Sequence, residues 1–74
     1  MGKGTRKLSN SLRELRQARG ITQHELSERV GITRQTIIAI EGNKYSPSLE
    51  VAFMIARALG ARLEEVFHYD ESAV

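Results

Sequence analysis

The feature that most constrains this fold is a three-residue turn, Gly31-Ile32-Thr33, between two segments of about eight residues with helical spacing of apolar side chains. Glycine adopts a left-handed backbone at the lowest cost, so Gly31 is expected to end the first segment. Threonine is a common N-cap, so Thr33 is expected to begin the second. Helices this short are not stable alone in water. The sequence therefore predicts two short helices that meet at a tight turn and depend on a shared core.

Similar start and stop signals divide the rest of the chain into further short helices. Glycines at positions 20 and 60 follow apolar segments, where they are expected to end a helix. Either Ser46 or Ser48 caps the fourth helix, which continues through Leu59. It is apolar over most of its circumference and is predicted to form the centre of the bundle. The predicted fold class is all-α, a compact five-helix bundle whose other helices cover about residues 11–19, 22–30, 34–41 and 63–67.

Charge is distributed unevenly along the chain. Residues 1–62 hold all eleven Lys and Arg against five Glu, whereas residues 63–74 hold four acidic residues and no base. A basic surface attracts polyanions such as nucleic acid, although charge alone leaves an ordinary solvated surface as an equal alternative. We predict a flexible basic tail over 1–9, a helical domain over 10–69 and an acidic tail over 70–74. The basic tail either reaches DNA as an arm or only aids solubility.

Composition excludes several classes of protein. The chain contains no cysteine, so it has neither disulfides nor thiolate zinc sites. No apolar run approaches the ~20 residues needed to cross a membrane, and a signal-peptide core is absent, so a cytoplasmic protein is expected. His24 and His68 are far apart in sequence, so no metal site is expected. We also expect no cofactor, and no enzymatic activity in so small a chain.

Both sides of the turn resemble a known family. Residues 12–67 resemble the phage-repressor and Cro type of helix-turn-helix domain (XRE-like), a compact five-helix fold of lambda-repressor-like type. The pattern asks for Gln at the start of the second helix, a small residue, a turn glycine and two apolar residues after it. Those positions hold Gln23, Ser27, Gly31, Ile37 and Ile40. The resemblance implies that the second and third helices form the helix-turn-helix and bind DNA.

The third helix has two faces. At about 100° per residue, Ile37 and Ile40 lie within about 60° of each other and must face the core. The opposite face carries Arg and Gln, which match the base edges of guanine and adenine in the major groove of B-DNA. Ile38 either contacts a thymine methyl group or is one ordinary exposed apolar residue. The predicted base-contacting residues, for which plain surface residues are the alternative, are Arg34, Gln35, Ile38 and Ala39.

Candidate phosphate contacts surround that helix. The N-terminus of the second helix, capped by Thr22, offers N–H groups and the positive end of a dipole to an anion. The resemblance implies a backbone contact for Gln23 and for the main-chain amides of residues 42–46. Tyr45 either donates its hydroxyl to a phosphate or covers the core. The full predicted set is Thr22, Gln23, Thr33, Thr36, Asn43, Lys44, Tyr45 and Ser46.

The resemblance also implies a partly buried salt bridge between Arg16 and Glu41, which orients the third helix. A free, phosphate-binding Arg16 is the alternative. Family members generally bind as symmetric dimers, so a homodimer is expected. Its predicted interface is Leu63, Val66, Phe67 and Tyr69, unless Val66 and Phe67 only complete the monomer core.

These observations predict a sequence-specific regulator of transcription that binds double-stranded DNA. The leading hypothesis is a repressor that occupies a palindromic operator as a homodimer. One alternative is the antitoxin of a toxin–antitoxin pair, in which the C-terminal surface binds a toxin protein. Another is a protein-interaction module that has kept the fold and lost DNA binding.

Overall fold

The computed structural model describes residues 7–70, and within them the chain forms five helices and two short strands. The predicted all-α five-helix fold is confirmed, and the small sheet is an addition to it. In chain order the elements are β1 (Leu8–Asn10), α1 (Leu12–Ala18), α2 (Gln23–Val30), α3 (Arg34–Glu41), α4 (Leu49–Ala58), α5 (Leu63–Val66) and β2 (Phe67–Tyr69). None of these helices is long and apolar enough to span a membrane.

Side-chain caps mark the beginnings of α2, α3 and α4. At α2 the Thr22 hydroxyl accepts a hydrogen bond from the Glu25 N–H at 3.0 Å, and the Glu25 carboxylate accepts one from the Thr22 N–H at 2.9 Å. This reciprocal pair is a capping box. At α4 the Ser48 hydroxyl accepts from the Val51 N–H at 3.2 Å. Ser48 is therefore the cap of α4, and Ser46 lies in the preceding loop.

The core is built from one stripe of each helix. α4 packs against α2 and α5 through Ala52, Ile55 and Ala56, and its other side faces solvent. Our prediction that α4 forms the centre of the bundle is therefore wrong, because Leu49 and Phe53 are 69% and 48% exposed. The largest fully buried side chains are Leu12, Leu26, Ile37, Ile40, Ile55 and Val66.

The two strands join the ends of the domain. β1 and β2 pair antiparallel, with Leu8 opposite Tyr69 and Asn10 opposite Phe67. The sequence prediction placed Leu8 in a flexible tail and Phe67 in the last helix, and both assignments are wrong. Phe67 has an extended backbone because α5 ends one residue earlier and the chain turns back along β1. Residues 1–6 and 71–74, which include most of the predicted tails, lie outside the described residues.

Asn10 links this sheet to the end of α3. Its side-chain amide donates to the Ile40 carbonyl at 2.8 Å, and its side-chain oxygen accepts from the Leu12 N–H at 3.1 Å. One polar side chain thus supplies a partner for an amide at the start of α1 and for a carbonyl at the end of α3. The sheet thereby helps to position α3.

Candidate nucleic-acid interface

The turn between α2 and α3 is fixed by its backbone. Gly31 has φ of 83°, a left-handed conformation that favours glycine. The N–H groups of Gly31 and Ile32 both donate to the Ser27 carbonyl, at 2.8 and 3.1 Å. Thr33 then caps α3 by accepting from the Thr36 N–H at 3.2 Å. These bonds determine the direction in which α3 leaves the turn.

A small residue in α2 lies next to the turn. Ser27 is only 5% exposed, and its hydroxyl donates to the His24 carbonyl at 2.7 Å, so its polar atom is satisfied without a partner from α3. A larger side chain at this buried position would have to displace the groups packed around it. A small residue such as Ser27 therefore suits this position in α2.

α3 presents two distinct faces, as predicted from its spacing. Ile37 and Ile40 are fully buried, and they fix the helix to the core. Arg34 and Gln35 are exposed, and Ile38 is 45% exposed. Ala39, the last residue of the predicted base-contacting face, is half-buried, and so is Thr36, a predicted phosphate contact. A shallow cavity brings several predicted contact residues together, and it is lined by Thr33, Gln35, Thr36, Ala39 and Tyr45.

The loop after α3 ends the helix with its own amides. The N–H groups of Gly42, Asn43 and Lys44 donate to carbonyls of α3 at 2.8–2.9 Å. The implied phosphate contacts by these three main-chain amides are therefore wrong, because the amides already have partners inside the chain. Asn43 has φ of 58°, which Asn tolerates better than most residues. The side chains of Lys44, Tyr45 and Ser46 lie on the surface, with Tyr45 50% exposed.

The N-terminus of α2 is also exposed. Thr22 is exposed, but its hydroxyl and its N–H are both used in the capping box. The hydrogen bond from the Thr22 backbone lowers the pKa of Glu25 below its ordinary value, so the Glu25 carboxylate is ionised at neutral pH. The Thr22 hydroxyl and N–H therefore already have partners inside the chain, and the predicted phosphate contact of Thr22 has no free backbone donor left to make it.

A cluster of four side chains, Arg13, Arg16, Gln23 and Glu41, joins α1, α2 and α3. Arg16 donates from Nε to Glu41 Oε2 at 2.6 Å and from Nη2 to Oε1 at 3.3 Å, a bidentate pair. Its Nη1 donates to a backbone carbonyl at 3.0 Å. The exposed Arg13 adds a third cationic contact, at 3.6 Å from Glu41 Oε1. Arg16 is therefore structural in this fold, since three of its nitrogens are engaged within the chain.

Glu41 is the acceptor that the cluster shares. Its side chain is fully buried, and that of Arg16 is 10% exposed. Burial alone would raise the pKa of Glu41, but hydrogen bonds from Arg16 and Gln23, and the charges of Arg16 and Arg13, outweigh it. The pKa of Glu41 therefore lies below its ordinary value, and the carboxylate is ionised at neutral pH.

Gln23 extends this cluster to the exposed face of α3. Its side-chain nitrogen donates to Glu41 Oε1 at 3.0 Å, and its side-chain oxygen accepts from Arg34 Nε at 3.5 Å. The sequence prediction gave Gln23 a phosphate contact and missed this bracing role. The only signal in the sequence is that Gln23 begins the helix before the turn and Arg34 begins the helix after it. Both residues line one polar concavity, together with Arg16, Thr22 and His24.

The predicted dimer residues differ in burial. Val66 is fully buried in the core, so its predicted interface role is wrong and the alternative reading is correct for it. Phe67 and Leu63 are half-buried, and Phe67 packs against the core cluster. Tyr69 is 62% exposed. Among the described residues, no group of three or more His, Cys, Asp or Glu side chains is placed to hold a metal ion.

A family model described as Helix-turn-helix matches residues 12–66, from the start of α1 to the end of α5. An HTH-type transcriptional regulator of Methanothermobacter thermautotrophicus is 59% identical over 61 residues, which cover 81% of this chain and 88% of the relative. Antitoxin HipB of Escherichia coli O6:H1 is 38% identical over 52 residues, which cover 70% of this chain and 55% of that protein.

A solved structure shows the same arrangement of helices. The crystal structure of the restriction-modification controller protein C.AhdI from Aeromonas hydrophila matches with a TM-score of 0.70 at 33% identity. The match covers 73% of this chain and 82% of the controller protein. The helices and the turn described above are therefore shared with a solved regulatory protein.

Proposed function

This chain belongs to the helix-turn-helix family, its relatives include transcriptional regulators, and we propose that it recognises a specific sequence in double-stranded DNA. The resemblance read from the sequence is thereby confirmed. One observation carries the proposal: Ile37 and Ile40 hold α3 to the core while Arg34 and Gln35 stand exposed on its other side. A helix so fixed enters the major groove with the two side chains directed at base edges.

Base recognition on this model comes mainly from Arg34 and Gln35. Arginine pairs with guanine O6 and N7, and glutamine pairs with adenine N6 and N7, each in bidentate fashion. Ile38 and Ala39 together supply the apolar contacts to thymine methyl groups. The DNA-binding unit extends from β1 to β2, because the sheet and Asn10 hold the end of α3 in place.

The regulator acts as a repressor on a palindromic operator. One α3 reaches only a few base pairs, so two copies related by a two-fold axis supply the required specificity, with their recognition helices ~34 Å apart. A DNA-bound dimer blocks access to a promoter without any further activity. Selection of bound duplexes from a random pool tests this directly. We expect a two-fold symmetric consensus with half-sites about one helical turn apart, and recovery of no enriched sequence would refute sequence-specific binding.

Phosphate contacts come from side chains around α3, with Lys44 as the main cation of the loop. Replacing Lys44 with alanine is expected to weaken binding to all DNA sequences alike and to reduce the salt dependence of log K by about one unit. Fluorescence anisotropy over a range of salt concentrations measures both effects. Lys44→Arg, which keeps the charge, is the matched control and should retain the slope. A slope unchanged in Lys44→Ala would remove this residue from the contact set.

An antitoxin role is the second candidate, and the similarity to antitoxin HipB is the observation that favours it. In that role the DNA-binding face stays the same, and the C-terminal surface binds a toxin protein instead of another copy. The gene next to this one distinguishes the two candidates. A small adjacent reading frame whose product arrests growth, and whose toxicity this chain relieves, would favour the antitoxin role.

A further inference from the structure

Two large apolar side chains of α4 face solvent on the same side of the helix. Leu49 and Phe53 are four residues apart, so they lie one above the other, and they are 69% and 48% exposed. Single exposed apolar residues are ordinary, but a contiguous group marks a binding surface.

The sheet continues this apolar surface. Paired residues in an antiparallel ladder point to the same side, so Leu8 and Tyr69 share a face, and Phe67 lies on that face two residues from Tyr69. A groove of about 300 Å³ joins this sheet face to α4. Every residue that lines it is apolar: Leu8, Pro47, Leu49, Ala52, Leu63 and Phe67. We call the combined surface the α4–sheet face, formed by Leu8, Leu49, Phe53, Leu63, Phe67 and Tyr69.

We infer that the α4–sheet face binds a second copy of this chain, and that Phe53 of each copy enters the groove of its partner. This inference rests on the proposed homodimer and specifies its interface, moving the centre from α5 to α4. In a two-fold symmetric interface the same patch contacts itself. Phe53 stands one helical turn from Leu49, which lines the groove, so the surface carries both an exposed ring and an apolar recess.

The size of the α4–sheet face fits such a dimer. A standard interface buries ~800 Å² on each partner, which is about one sixth of the 5006 Å² surface of this protein. Phe53 and Tyr69 alone leave roughly 200 Å² exposed, because an aromatic side chain has roughly 150–250 Å² of surface. The half-buried groove residues add to this area, and homodimer interfaces are mostly apolar. A patch of this extent on a small monomer is the kind that is covered in the functional assembly.

Charge also favours a second copy over a charged partner. The described residues lining the groove carry no charge, so two copies meet there without repulsion between like charges. An acidic or basic partner segment would lose its hydration at this surface and gain no counter-charge. The occupant must therefore bring an apolar side chain, and the two-fold operation supplies Phe53.

The test compares two substitutions that are adjacent on α4. Phe53→Glu places a charge in the proposed interface, whereas Met54→Glu places the same charge on a side chain that lies on a different side of α4, beside Arg29 and Arg57. Phe53 and Met54 are 48% and 38% exposed, so both variants should keep the fold. Circular dichroism and thermal unfolding can verify this. Sedimentation equilibrium of the full chain without DNA gives the dimer dissociation constant for each protein.

We expect a dimeric wild type, an unchanged dissociation constant for Met54→Glu, and at least a tenfold increase for Phe53→Glu. Leu49→Glu, a second exposed position, should give the same result as Phe53→Glu. A wild type that stays monomeric, or a Phe53→Glu protein as dimeric as Met54→Glu, would overturn the inference. Because these measurements contain no DNA, failure of DNA recognition leaves them unchanged, so the two proposals fail separately. Binding of Phe53→Glu to one isolated half-site should match that of the wild type.

Discussion

Replacing Glu41 with alanine is expected to lower the free energy of unfolding by about 3–5 kcal/mol, because the buried Arg16 then keeps its charge without a partner. The Arg16 side chain is 10% exposed and bonds Glu41 through two of its nitrogens. Gln23 loses its acceptor in the same variant. Domains have only 5–15 kcal/mol of stability, so this loss removes a large fraction of it.

Urea denaturation followed by circular dichroism measures this effect, and Glu28→Ala is its matched control. Glu28 also contacts a side chain that can carry positive charge, His24 at 3.2 Å, but both side chains of this pair are 69% exposed. Exposed pairs contribute ~0–1 kcal/mol, so the control should stay close to the wild type. Equal losses in the two variants would show that burial of the Arg16–Glu41 pair has no special energetic role.

Acid should remove the difference between the wild type and Glu41→Ala. The pKa of Glu41 in the folded state lies below its ordinary value of 4.5, since the hydrogen bonds and charges of its neighbours outweigh burial. The stabilisation is therefore fully present above the unfolded pKa, and it is lost as pH falls through the folded pKa. Glu25, whose pKa is also lowered, contributes equally in both proteins and cancels in the difference. The difference in unfolding free energy should be constant near neutral pH and should shrink as pH falls below 4.5, and a difference that stays constant under increasingly acidic conditions would contradict this account.

Features set by neighbours in sequence were predictable, and features set by distant partners were not. The start of α3 follows from the Thr33 cap and its end from Gly42-Asn43, so the predicted and observed boundaries agree. The sheet pairs Leu8 with Tyr69, and strands of three residues are too short to show an alternating pattern. The exposure of Leu49 and Phe53 likewise depends on which side of α4 the other helices cover, which periodicity alone does not state.

The same distinction applies to the site. A helical wheel places Arg34 on the outer face of α3, because wheel angles depend only on spacing along the chain. It does not reveal that Gln23 stands between Arg34 and Glu41, since that arrangement depends on the angle at which α2 and α3 cross. Without that angle, the available prediction was a phosphate contact by Gln23. The structure adds a brace that connects a buried ion pair to an exposed arginine.

Replacing Arg34 with alanine is expected to relax base preference at one position in each half-site, at a cost of ~1–3 kcal/mol for the preferred sequence. The guanidinium matches guanine in bidentate geometry, and alanine matches no base at that distance. Selection of bound duplexes from a random pool, followed by affinity measurements on single-base variants, identifies the affected position. Arg29→Ala removes the same charge from the far end of α2, where Arg29 lies beside Met54 and Arg57. That control should retain the full preference, and an unchanged profile in Arg34→Ala would exclude Arg34 as a base reader.

The Gln23 brace then predicts a coupling that a phosphate contact does not. Gln23 holds Arg34 Nε at 3.5 Å while its own nitrogen is fixed on Glu41, so Gln23→Ala should weaken the same base preference that Arg34→Ala removes. In the Arg34→Ala background the second substitution should add little, because the side chain that Gln23 positions is already absent. A phosphate contact by Gln23 would instead lower affinity for every sequence by the same factor in both backgrounds. A double-mutant cycle on the preferred site and on one base variant separates the two roles, and additive losses on both duplexes would assign Gln23 to the phosphates.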